Sequence, residues 1–116
     1  PAEFIARAFA VRTAAHLAHL QSRSYAEHVA LGGFYDSLVD LVDSYAEAYQ
    51  GLFGLIKDYP ATPAPTDAPL NFLVDFADWL NTHRDKLGTG QTALENILDE
   101  AVALTAQTIY KLRFLK

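Results

Sequence analysis

The 116-residue chain contains no cysteine and no methionine. Without cysteine there is neither a disulfide framework nor a thiolate metal site. The missing methionine is what removal of an initiator before a small residue such as Pro1, or trimming of the chain, would leave. Basic side chains are scarce, nine against 14 acidic ones, for a formal net charge of -5. They are scattered, and their densest group, Lys111, Arg113 and Lys116, is too small to hold DNA at physiological salt. DNA binding is therefore not supported, and neither is docking on an anionic membrane. No apolar stretch approaches the roughly 20 residues of a membrane span, and Glu3, Arg7 and Arg12 interrupt the region where a signal peptide would need an apolar core. A soluble, cytoplasmic protein is expected. Strand alternation, internal repeats, glycine-rich phosphate loops and G-x-S-x-G are all missing, which leaves nucleophilic hydrolysis without support.

What is present is 51% hydrophobic and long enough to bury one core, so residues 1–116 are expected to form a single domain. Phe4, Ala8, Val11 and Ala15 repeat at helical spacing, flanked by Ile5, Phe9 and Leu20, and predict a helix over about residues 2–21. His16 falls on the border of that stripe, beside Phe9, Arg12 and Leu20. Ser24 and Glu27 form a capping-box pair that starts a second helix, predicted over 25–57. Gly32 and Gly33 interrupt it and point to a kink or to close approach of another backbone. Four of the five prolines then fall within residues 59–69, an extended segment able to span roughly 30 Å. Thr66 or Asp67 is expected to cap a third helix over 69–87, ended by Gly88, and Thr89 a fourth over 90–114. Four helices joined short, long, short give an all-α fold, a ferritin-like four-helix bundle with a long proline-rich crossover between the second and third helices.

The side chains able to do chemistry concentrate between His16 and Glu47. Asp43 and Glu47 are one helical turn apart and can reach a common ion, although such pairs are usually a solvated face. His28 lies on the same helix fifteen residues before Asp43, about 22 Å along the axis, so the two cannot share an ion within one chain. Across a two-fold axis near Gly32, Gly33, Tyr35 and Asp36 they can, and His16 joins His28 through the turn between the first two helices. Imidazole with carboxylate suits iron, zinc or manganese. His19, one turn from His16, is a possible additional ligand, though a hydrogen-bonded role is commoner. His83 is placed near the negative end of the third helix, and Trp79 in a core or interface.

His16, His28, Asp43 and Glu47, spaced by twelve, fifteen and four residues, resemble the ligand spacing of Dps proteins, the ferritin-like mini-ferritins. Tyr25, Tyr35, Ala46 within VDSYAEAY and the final TALENILDEAVALTAQTIYKLRFL are also similar to that family. The resemblance implies a homo-oligomer, a two-fold dimer and up to a dodecamer, that binds iron at an intersubunit ferroxidase site. There it would oxidise iron(II) with peroxide or oxygen and store the product, a role in oxidative stress. His16 and His28 would be nitrogen ligands, Asp43 would bridge, and Glu47 would complete the set. The chain departs from the family at Gly32, where Dps proteins have a further acidic ligand, and at Leu17, where they commonly have tryptophan. Two alternatives stand beside this reading. One is a ferritin-like structural or interaction module, as phages can carry, without ferroxidase activity. The other is a DinB-like metal bundle using His16, His28 and His83.

Overall fold

Each helix begins where the local chemistry allows and ends where it stops being satisfied. The computed structural model describes residues 1–116 as four helices: α1 (Ala2–Gln21), α2 (Tyr25–Phe53), α3 (Pro69–Gly88) and α4 (Thr92–Phe114). Ser24 caps α2, its hydroxyl accepting from the Glu27 amide at 3.3 Å. The reciprocal half of the expected capping box is replaced, because the Ser24 amide donates to Ser22 Oγ at 3.1 Å instead. α2 runs through Gly32 and Gly33 without a break in its helix.

α2 stops at Phe53, four residues short of the expected end. Gly54 takes φ +100°, a left-handed value open to glycine, and the Ile56 amide is captured by the Gln50 side chain at 3.1 Å. The expected caps of the last two helices are also corrected. α3 is preceded by Ala68 with no side-chain cap, and Pro69, which has no amide to satisfy, takes its first turn. Thr89 closes α3 in the left-handed region at φ 52°, while Gln91 precedes α4.

The apolar faces meet in one core: Phe4, Ile5 and Val11 of α1, Leu31, Phe34, Leu38 and Val42 of α2, Leu73, Phe76 and Leu80 of α3, and Leu94 and Leu98 of α4. Burying each such side chain contributes roughly 1.5–3 kcal/mol before entropy is counted. Phe9 and Leu20, expected beside the core, are instead 43% and 66% exposed. The buried hydroxyls are satisfied. Thr105 and Thr108 donate to carbonyls one turn back, and the Tyr45 hydroxyl donates to the Leu87 carbonyl at 2.7 Å. Burial pushes the Tyr45 phenol up from its ordinary range.

α1 packs on α2, α2 on α4, α4 on α3, and α3 more lightly on α1, which makes α2 and α3 diagonal partners. The start of α2, the start of α3 and the end of α4 line one hollow, through Ser24, Pro69, Leu70 and Leu112. The connection 54–68 carries no helix. Its Tyr59 and Pro60 lie with Phe9, Asp43 and Ala46, and its Pro63 and Pro65 with Val11, Phe72 and Phe76. The bundle measures 44 × 26 × 21 Å, and no helix is long and apolar enough to cross a membrane.

Candidate functional site

The junction of α1 and α2 gathers three of the four histidines. His19 and His28 stack face to face with ring centroids 3.7 Å apart, and His16 stacks on Tyr35 at 4.1 Å, with His19 and His16 separated by 6.1 Å. The two stacked rings are tied reciprocally. His19 Nδ1 donates to the His28 carbonyl at 2.5 Å, and His28 Nδ1 donates to the His19 carbonyl at 2.8 Å. Because a carbonyl oxygen only accepts, both rings carry their proton on Nδ1, and the neutral form of each keeps its Nε2 lone pair free. This is the orientation a metal-ligating imidazole commonly has, with its other nitrogen held by the backbone.

Gly32 belongs to the same cluster. A Cβ there would stand 3.0 Å from His19 Cε1, so the bare glycine is what leaves room for the His19 ring. Nothing lies within 4 Å of a Cβ at Gly33. The close approach anticipated at the glycines is thus made at Gly32 by a side chain of the same chain.

The carboxylates stand apart from the histidines. On α2, Tyr25, Val29, Gly32, Asp36, Asp40, Asp43 and Glu47 recur every three or four residues and form one outer stripe, opposite Leu31, Phe34, Leu38 and Val42 in the core. All but half-buried Gly32 are exposed. None of these carboxylates has an ion-pair partner, since every salt bridge of the chain uses Arg7 or Arg84. Arg12 is likewise unpaired. Its guanidinium sits 5.4 Å over the Tyr35 ring, and its Nε is buried without a hydrogen-bond partner.

No three histidine, aspartate or glutamate side chains converge to hold a metal ion within one chain. Two reasons are visible. Lone pairs lie in the ring planes, so rings stacked within 16° of parallel cannot both aim at one ion between them. Asp43 and Glu47, meanwhile, are four and five turns of helix from His28. The three-histidine alternative is not assembled either. His83 stacks on Trp79 at 4.2 Å, with Nδ1 donating to the Trp79 carbonyl at 2.8 Å. Trp79 lies under the Arg7 guanidinium, and Arg7 is about 13 Å along α1 from His16.

His19 takes the hydrogen-bonded role expected of it, while the place of Arg12 over Tyr35 is not foreshadowed by the sequence pattern. For His19 the available signal was the pairing of an extra histidine one turn after His16 with a glycine one turn after His28.

A family model described as "Family of unknown function (DUF5856)" matches residues 19–112, a span that includes His19, His28, Asp43 and Glu47 but not His16. The chain is also similar to the "Uncharacterized 14.6 kDa protein in mobD-ri intergenic region" of Enterobacteria phage T4. The two are 26% identical over 110 residues, covering 95% of this chain and 85% of the phage protein. No solved structure matches.

Proposed function

The chain belongs to the DUF5856 family, and for it we propose a ferritin-like bundle that pairs through α2 about a two-fold axis. In this reading it takes iron(II) between the histidine end of one chain and the acidic end of the other. The diagonal placement of α2 and α3, both starting beside the end of α4, supports ferritin-like connectivity with residues 54–68 as the proline-rich crossover.

The observation that carries the reading is the division of donors along one helix. His28, with Nδ1 held and Nε2 free, lies near the start of α2, while Asp43 and Glu47 lie unpaired and one turn apart toward its end. Neither half is a site alone, and an isologous pair completes two. Iron(II) is the substrate. His16 and His28 would offer neutral nitrogens, and His19 is a further candidate. Asp43 and Glu47 would offer anionic oxygens, which favour the more highly charged oxidised ion when peroxide or oxygen removes its electron. Zinc and manganese suit the same donors.

The test is anaerobic iron(II) titration of metal-free protein followed by peroxide, with subunit mass measured alongside. Stoichiometric uptake and oxidation in an oligomer, lost in His28→Ala, is expected. Protein that takes up no iron at any mass overturns the reading. A second reading, a structural or interaction module on the same bundle, is favoured by one observation: the His19 ring fills the room above Gly32, and two histidines are spent tying α1 to α2. An oligomer silent toward iron supports it.

A further inference from the structure

We infer that residues 57–63, in the connection between α2 and α3, are a docking motif for a partner protein whose groove is lined by aromatic side chains and edged by carboxylates. The inference rests neither on iron nor on pairing through α2. Lys57, Pro60 and Pro63 are not metal donors and lie outside that helix.

Spanning the bundle needs length and no particular face, yet Pro60, Pro63 and Pro65 fall close together in this connection. Each ring fixes its own φ, and the residue before each proline, Tyr59, Thr62 or Ala64, is driven to extended backbone. Only Ala61 is left unconstrained between Tyr59 and Pro65, so polyproline II is preformed there. Asp58, at φ 60°, turns the chain just before it. Three residues per turn put Pro60, Pro63 and Thr66 on one row, and Tyr59, Thr62 and Pro65 on the next. The first row is exposed throughout, whereas Thr62 and Pro65 are half-buried. The segment thus leans on the bundle with one row and presents the other.

Its backbone is equally free. Residues 57–67 make no backbone hydrogen bond to any helix, and the one bond among them runs from the Thr62 hydroxyl to the Pro60 carbonyl at 3.5 Å. Their carbonyls are open to donors such as the indole N–H and phenol O–H groups of an aromatic groove. Docking therefore breaks no ladder and orders no loose chain, the two costs that weaken recognition of most extended segments.

Lys57 adds the charge. It stands three residues before Pro60, is exposed, and has no carboxylate partner, since every salt bridge of the chain uses Arg7 or Arg84. The resulting K-x-x-P-x-x-P places a cation at one end of two prolines three apart. That cation fixes which way the segment lies and calls for carboxylates at one end of the groove.

The probe is an SH3 domain that takes lysine-led K-x-x-P-x-x-P peptides, titrated calorimetrically into the full chain. Saturable binding, one domain per chain, is expected. Pro60→Ala combined with Pro63→Ala should weaken it about tenfold or more. The thermal midpoint of that variant should fall only slightly, because losing proline mainly frees the unfolded chain. Lys57→Glu should weaken binding most at low salt, and Thr66→Ala, on the same exposed row but outside the motif, should leave it unchanged. No complex at the highest soluble concentration, or binding that the double proline variant leaves intact, overturns the inference. A chain that binds the domain and takes up no iron leaves it standing and removes the iron reading alone, while one that takes up iron and ignores the domain does the reverse.

Discussion

Gly32 and Gly33 are sequence neighbours whose surroundings differ. A methyl group at Gly33 would meet open space, whereas one at Gly32 would press on the His19 ring at 3.0 Å. In mid-helix, alanine is favoured over glycine by about 1 kcal/mol. Gly33→Ala is therefore expected to raise unfolding stability by about that amount. Gly32→Ala should gain less or lose outright, because the ring must give way and both carbonyl bonds of the histidine pair are strained. In a His19→Ala background the Gly32→Ala gain should return. Denaturant unfolding of the four proteins measures this coupling, and additive effects would show that the ring and the glycine are independent.

Between helices, the exposed corner of α3 and α4 is held by Arg84. Its Nε and Nη2 donate to the two Asp99 carboxylate oxygens at 2.5 and 2.9 Å, and Asp85 and Glu95 add to the negative surroundings. The hydrogen bonds from Arg84 hold the Asp99 carboxyl below its ordinary range. A lowered folded value means that the contribution to stability is present above the unfolded value, about 3.9, and is lost as pH falls through the folded one. Asp99→Asn is expected to flatten this part of the acid limb of the stability curve and to matter little at high salt, since the pair is solvated. Thermal midpoints between neutral and acid pH decide it. An unchanged acid limb would show that the bidentate geometry carries no folding energy.

At the level of the assembled molecule, the proposed site uses His28 from one chain and Asp43 from the other, which separates it from any site closed within one bundle. His28→Ala and Asp43→Asn should each abolish iron uptake alone. Mixed and re-equilibrated, half the pairs become mixed, and each of these regains one intact site of its two, so about a quarter of wild-type uptake should return. No recovery, with mixed pairs demonstrated by mass, would exclude a shared site.

Much of this architecture was legible in the chain because it is local. Apolar spacing marks four helices, Ser24 marks the start of α2, and the prolines mark the one connection that cannot be helical. The distance between His28 and Asp43 follows from helical rise alone, so the impossibility of a closed site needs no coordinates. Packing decided the rest. Which side chain takes the Ser24 amide, how Gln50 and Gly54 end α2, and why Thr89 finishes α3 rather than starting α4 depend on competition among nearby partners. The locking of His19 against His28 and the unpaired Arg12 over Tyr35 exist only where α1 and α2 touch. Periodicity can say which face of a helix is apolar, but not which side chains on two facing helices will claim the same space.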